Sequence, residues 1–515
     1  MPETCTLIEP PCPLERPWSR RHVRAPRGDE TFVADPPLAD AMEIAHRNRE
    51  RLGEACADVQ GRELGIVRQW ARREVLRAAG EYTAELLSAE VPGAGFGGAN
   101  TRESTPAALQ QAGRCSALPD PATTTFYVGG HQPTLFHPGV WVKNFVVGRL
   151  AETDRSIGLN LVVDTDTLSG TAVPVPTGRR EAPGVAMVPF DEPRPRQPWE
   201  EARIVDRALF SSFAERVGKT LGDWGFTPLL AEFWLAAVRR SATSDSLAEC
   251  LTAARSAWER RWGCANLELP VSRLCTLEPF LWFAAHLLAH LPRFRAVYNE
   301  VLHEYRGVNR VRSRMHPVPD LQEVDGWIEA PFRVWRAGDE VRRRVFARQE
   351  GGEVRLSDGE DVFAALPLVP GKDACCAVKE LQKLSARGIR FRTRALTTTM
   401  FARLCFADLF VHGIGGAKYD QMTDRIVARF FGLCAPQFLT LSATLQLPVS
   451  GYPVEPADEC RLERQLRELD FNSDRHLARG LSTEAQKLVA EKRRLVAEQQ
   501  AARGCSGESG AGRVR

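Results

Sequence analysis

The 515-residue sequence predicts an α/β protein: a parallel sheet interrupted by a helical insertion and followed by a charged helical segment. Three observations carry that prediction. First, TTTFYVGG is an apolar run ending in glycines; NFVVGRLAE after it is helical, and SIGLNLVVDTDT is a second apolar run, giving the strand–helix–strand order of a parallel βαβ unit. Second, DLFVHGIGGAKYDQMTDRIVARFFG repeats the theme of strand, glycine-rich turn and helix. Third, the stretch from Trp199 to Arg312 sets apolar residues at three- and four-residue steps, as in LLAEFWLAAVRRS and EPFLWFAAHLLAHLPRFRAVYNEVLHEYR.

In chain order, residues 1 to about 35 are rich in proline and arginine and read as loose, and AMEIAHRNRERL and ELGIVRQWARREVLRAAGEYTAELL read as helices. VPGAGFGGANTRESTPAAL reads as a linker. Residues 121–198 form the first part of the core, with APGVAMVPF as its third strand; residues 199–325 form the helical connecting subdomain. Residues 326–457 hold a β-meander, GWIEAPFRVWRAGDEVRRRVFARQEGGEVRLSDG, and the second part of the core, where IRFRTRALTTT returns to a strand. Residues 458–515 give a helical hairpin or short coiled coil with a disordered tail, and Thr483 to Gln486 has capping-box spacing.

Composition narrows the function classes. Hydrophobic residues are 43% and charged residues 26%, enough to bury a sizeable core. A net charge of +3 gives no global field for nucleic acid or membrane. The N-terminal stretch has no basic segment followed by an apolar core, and the apolar stretches fall short of the ~20 residues of a membrane span. The 13 cysteines show no CxxC pair, so the expectation is a reducing, cytoplasmic setting with mostly free thiols and no metal site.

Polar residues gathered just after strand ends are where a parallel sheet binds ligands. Gly129 and Gly130 allow close backbone approach; Gln132, His131 and His137 offer hydrogen-bonding groups; Lys143 and Asn144 follow at the helix, whose free N–H groups attract an anion. Pro133-Thr134 with His137-Pro138-Gly139 is partly similar to the PTGxxHxGH loop of adenylyl-transfer folds, with Val140 where the second histidine would stand. The plain alternative is a structural turn whose histidines bond backbone. Asp164 and Asp166, two residues apart, suit orienting an amine, a ribose or a metal, or else simply cap a strand end. His412-Gly413-Ile414-Gly415-Gly416-Ala417-Lys418-Tyr419-Asp420 is a second glycine turn into a helix, an anion-binding geometry or a structural turn. His286 and His290 have metal spacing but sit in an apolar helix and read as ordinary histidines. The Arg-rich YNEVLHEYRGVNRVRSRMHPVPDL either walls a substrate pocket or is a solvated face.

Three of these segments resemble the cysteine-adding enzymes of bacillithiol biosynthesis. Gly130-His131-Gln132 with Leu135-Phe136 and Pro138-Gly139 is similar to the family's strand and TGQQ-type turn; Asp164-Thr165-Asp166 sits where the family has an EDHD-like cluster; Gly413 to Tyr419 with Phe431-Gly432 resembles its GPGE-x-x-Y turn and later FG step. Order and spacing agree from about Phe126 to Arg503, through short motifs only. Histidine replaces the first glutamine, Thr165 replaces the cluster histidine, and Gly416 or Ala417 stands near the glutamate. The resemblance implies a Rossmann-like core, a helical connecting subdomain, a coiled coil that pairs two copies, and a ligase joining cysteine or another amino acid to an amine of a sugar-derived acceptor with ATP or ADP. In that reading His131, Asp164, Asp166 and His412 are catalytic, and Gly130, Gln132, His137, Lys143, Asn144, Gly413, Gly415, Gly416, Lys418, Tyr419 and Asp420 bind substrate or nucleotide. The alternatives are a non-catalytic relative of that family and an unrelated nucleotidyltransferase-like enzyme.

Overall fold

Among the described residues fourteen strands, numbered along the chain, fall into three sheets. The computed structural model describes residues 15, 18, 23–88, 119–179, 182–222, 224–313, 315–448, 454–476 and 482–505. They divide into two units, Met1–Pro448 and Val449–Arg515.

The central sheet of the first unit contains β1 (Thr31–Asp35), β2 (Phe126–His131), β3 (Ile157–Val162), β6 (Leu267–Pro270), β13 (Leu409–His412) and β14 (Phe438–Thr444), in the order β1-β14-β13-β2-β3-β6. All neighbours are parallel except β1, which runs antiparallel to β14. The run Phe126-Tyr127-Val128 explains why this sheet is interior. Phe126 and Val128 join a cluster with the Leu64–Leu87, Glu278–Ala289 and Ala395–Cys405 helices, while Tyr127 packs on the other face with the Ala41–Gly53 and Pro138–Thr153 helices. A sheet covered on both faces needs continuous apolar strands, which is why the sequence runs are uninterrupted rather than alternating. A charged clasp fixes the lower end of β2 and β13. Asp408 accepts from the Phe126 N–H at 2.8 Å and pairs with buried Arg68 and Arg72, the latter at 2.9 Å.

The second sheet is the expected meander. It comprises β8 (Trp327–Arg336), β9 (Arg343–Glu350), β10 (Glu353–Ser357) and β11 (Val362–Pro367), all antiparallel, with β12 (Ile389–Thr393) on the far side of β8 and short β7 (Glu323–Val324) also on β8. A two-stranded ribbon, β4 (Ala172–Arg179) and β5 (Ala182–Pro189), completes the set.

Four sequence expectations change. The helix after β2 starts at Pro138 rather than near Phe145, because His137 caps it and Pro138 fills the first turn, where a missing N–H is harmless. APGVAMVPF is the ribbon strand β5; the third parallel strand is β6, inside the stretch expected to be helical. IRFRTRALTTT supplies β12 to the meander, and its threonines belong to the Ala395–Cys405 helix. Residues near 31–35 form β1 rather than a loose end. The linker near 91–109 and the tail after 505 lie outside the described residues. Cys250, Cys264, Cys275 and Cys405 are buried free thiols, whereas Cys434 is disulfide-bonded. Among the described residues no helix is long and apolar enough to cross a membrane.

The second unit holds the Pro456–Asn472 and Thr483–Cys505 helices. Lys492 Nζ from the second donates to Phe471 O of the first at 2.6 Å, so the two form a hairpin. The capping box lies at Glu455 and Asp458, while the second helix is capped by Ser482, one residue before the expected position, through the Ala485 N–H at 3.3 Å. Leu462, Leu466, Leu469, Leu488 and Leu495 are exposed.

Candidate functional site

In the central sheet the chain steps outward from β2 to β3 and β6 on one side, and returns to β13 and β14 on the other. The order therefore reverses between β2 and β13, which pair in parallel with Val411 opposite Gly129. In open parallel sheets the crevice outside the strand carboxyl ends at such a reversal is where ligands bind. Gly130-His131 and His412-Gly413 both stand there, on adjacent strands.

Lys143 lies beneath this crevice. It sits between one and two turns into the Pro138–Thr153 helix, is 3% exposed, and its Nζ donates to Gly130 O at 2.8 Å. Burial pushes the ammonium down from 10.5 to about 8. Its field reaches both histidines. Burial, then Lys143, pushes His131 down to about 4, so that the ring is neutral at physiological pH. His131 Nδ1 lies 3.2 Å from Gln132 O, and its ring meets Phe136 edge-on at 5.3 Å between centroids.

His412 is buried between Phe410 and Phe438. Its Nε2 lies 2.8 Å from Asp420 Oδ2. Burial holds the imidazole below its ordinary value despite the Asp420 carboxylate. Burial acts the other way on Asp420, but Arg403 and then His412 keep that carboxyl well below the usual range. Thr399 Oγ1 donates to its other oxygen at 2.8 Å. Arg403–Asp420–His412 is thus a closed buried network that fixes the imidazole. A Cβ on Gly416 would lie 2.9 Å from His412 Nδ1, so glycine is required for this approach. The Ile414–Ile426 helix begins here with no side-chain cap, and Gly415 and Gly416 are exposed in its first turn. Lys418 is exposed one turn on, and Tyr419 packs edge-on against His316 at 5.6 Å between centroids.

The remaining sequence candidates are spread around this centre. His137 Nδ1 accepts from Gly139 N at 3.1 Å, which makes it the cap of its own helix. Asn144 Nδ2 donates to Glu259 Oε1 at 2.7 Å, away from the crevice. The carboxylates of Asp164 and Asp166 diverge. Asp164 accepts from Ser272 N at 2.9 Å and from Ser272 Oγ, tying β3 to the turn after β6. Burial, then Glu200, raises it to about 7 against those two hydrogen bonds. Asp166 accepts from Gln132 Nε2 at 2.8 Å and pairs with Arg342 at 3.1 Å. His286 Nδ1 takes the Gln60 N–H at 3.0 Å.

Sequence reasoning missed a second buried network. Arg255 joins Glu259 at 2.7 Å and Glu268 in β6, Asn160 Nδ2 donates to Glu268 at 3.0 Å, and Trp141 Nε1 donates to Glu259 at 2.7 Å. The available signal was Glu268, a charge in the middle of the apolar LELP. Above it, Phe136, Trp141, Phe233, Arg255, Trp258 and Trp262 line an aromatic cavity of about 180 Å³ beside the loop after β2. No family model matches the chain, and no curated protein matches it.

Proposed function

We propose that this chain is an ATP-dependent, amide-forming ligase with a Rossmann-like core, adding cysteine or another amino acid to the amine of a sugar-derived acceptor. The single observation that carries the reading is the adjacency of Gly130-His131 and His412-Gly413 at the reversal of strand order. Counted along the chain, the parallel strands lie in the order third, second, first, fourth, fifth, which supports a Rossmann-like reading because doubly wound sheets bind nucleotides at such a reversal.

The residues present fit a nucleotide. The uncapped Ile414–Ile426 N-terminus offers backbone N–H groups at exposed Gly415 and Gly416, suited to phosphate oxygens. The aromatic cavity beside Phe136 and Trp141 suits a flat ring. ATP, when bound, supplies the phosphoryl or adenylyl group that turns a carboxylate into an electrophile. His131, neutral because burial and Lys143 push it to about 4, is placed to accept the proton lost as the amine attacks, while the Lys143 ammonium adds positive charge beside it. Asp166 and Gln132 orient the acceptor; Asp164 and His137 hold the frame.

Gly415 has no atom within 4 Å of an added Cβ. Gly415→Val therefore changes stability by less than ~1 kcal/mol while lowering ATP affinity at least about tenfold, read by calorimetric titration. Unchanged affinity would refute the loop assignment, and an absence of thermal stabilisation by ATP, ADP and cysteine alike would refute the ligase. The closed Arg403–Asp420–His412 network favours a second reading, a nucleotide-binding relative without turnover, because it leaves His412 no free carboxylate partner to exchange protons with. ATP binding without amide formation from cysteine and glucosamine-type amines decides for it.

A further inference from the structure

Three neighbouring strands of the meander carry arginine at one level. Arg333 of β8 stands directly opposite Arg344 of β9 and directly opposite Arg392 of β12. Like charges facing each other across a ladder are destabilising. The two outer arginines are neutralised: Arg392 reaches Glu200 through two hydrogen bonds of 2.9 and 2.8 Å, and Arg344 pairs with Glu329 at 3.3 Å. Glu329 is shared with Arg394 at 3.0 Å. Among the described residues the Arg333 guanidinium has neither an ion pair nor a hydrogen bond. The β8–β9 register shifts just before it, between Ala330 and Arg333, the kind of bulge that re-aims a side chain next to a site.

Arg333 lines a cavity of about 430 Å³ together with Thr167, Ser169, Arg196, Glu340 and Arg342. Arg342 is already anchored, donating to Thr165 O at 2.9 Å and pairing with Asp166, the residue that Gln132 also contacts. The cavity thus adjoins the loop after β3. Arg196, Arg333, Arg342, Arg344 and Arg394 stand here against Asp166, Glu329 and Glu340. Burial, then Arg394 and Arg342, pushes the Arg333 guanidinium down to about 10, against the opposing Glu329 carboxylate.

We propose that this cavity binds the phosphate group of a small-molecule ligand through Arg333, Arg342 and the hydroxyls of Thr167 and Ser169. A dianion matches the surplus of positive charge, where a single carboxylate neutralises half of it, and arginine forks with hydroxyl donors suit tetrahedral phosphate oxygens. The volume leaves room for the group that bears the phosphate. The inference is independent of the ligase reading, since it does not use the crevice at β2 and β13.

Calorimetric titration of the full chain at low salt with inorganic phosphate, and in parallel with malonate as the dicarboxylate, tests it. Phosphate should bind, Arg333→Gln should weaken it at least about tenfold, and Arg333→Gln should melt no lower than wild type without ligand because a repulsion has been removed. No phosphate binding, equal affinity in the variant, or Arg333-dependent malonate binding tighter than phosphate would each overturn the proposal. If Arg333→Gln does not fold, phenylglyoxal modification of the wild-type chain read by peptide mass spectrometry replaces it. Phosphate should protect Arg333, and equal modification with and without phosphate overturns the assignment.

Discussion

Replacing Lys143 by methionine should make the protein no less stable at neutral pH, against the usual outcome for a buried residue that loses a hydrogen bond. Burial lowers Lys143 from 10.5 to about 8, which corresponds to ~3 kcal/mol of disfavoured charge at ~1.36 kcal/mol per tenfold change. Methionine removes that penalty and keeps most of the volume. It also leaves Gly130 O without the 2.8 Å bond, a loss of about 1–3 kcal/mol. The net at pH 7 is between no change and ~2 kcal/mol of stabilisation. The sign with pH follows from proton binding. Between about 8 and 10.5 the unfolded lysine holds a proton that the native one has released, so wild-type stability gained from this group rises with pH across that window; below 8 both states are protonated and the penalty is constant. Burial pushes Tyr82 and the thiols of Cys250 and Cys264 upward in the folded protein, but they act in both proteins and cancel in the difference. Urea denaturation followed by tryptophan fluorescence from pH 7 to 10.5 should show the variant's advantage falling by ~3 kcal/mol. A difference that stays flat over that range would show that Lys143 is not a buried cation and would remove the positive charge assigned beside His131.

Asp408→Asn should destabilise by about 3–5 kcal/mol in urea, because Arg68 and Arg72 become buried cations without a counter-charge. Gly158→Ala should destabilise by about 1–3 kcal/mol, since its Cβ would collide with Asn266 Oδ1, itself held in the Glu268 network. If the C-terminal hairpin pairs two copies through its exposed leucines, Leu466→Asp should shift the mass measured by light scattering from dimer toward monomer without lowering the melting midpoint of the central sheet; an unchanged mass would refute pairing through that face.

The parts of the fold written in long apolar runs were legible. Phe126-Tyr127-Val128 has apolar residues on both faces, and Ile157 to Val162 is apolar but for Gly158 and Asn160, so both read as interior strands; Gly415 and Gly416 stand where the chain enters a helix. The β6 strand was not legible, because four residues carry no periodicity and Glu268 breaks the apolar pattern; Arg255, thirteen residues earlier in the chain, and Asn160 make that charge tolerable. Likewise APGVAMVPF reads the same whether its partner is a parallel core strand or the preceding β4, since pairing is set by tertiary context. At the site, the sequence drew attention to His131 and His412, which end adjacent strands, but not to the groups that surround them. The sequential closeness of Asp164 and Asp166 suggested a pair, yet one turns to Ser272 and the other to Arg342, each drawn by a partner more than a hundred residues away.

The pairing of β1 with β14 has a consequence for how the chain is made. Thr31 lies opposite Thr444 and Asp35 opposite Thr440, so one side of the central sheet is completed by two segments far apart in the chain. Until the later one emerges, β13 and the early strands wait with an open hydrogen-bonding edge, a state prone to intermolecular association. Ribosome-stalled or proteolysed products ending before Phe438 should accumulate in aggregates, whereas those ending shortly after Thr444 should stay dispersed.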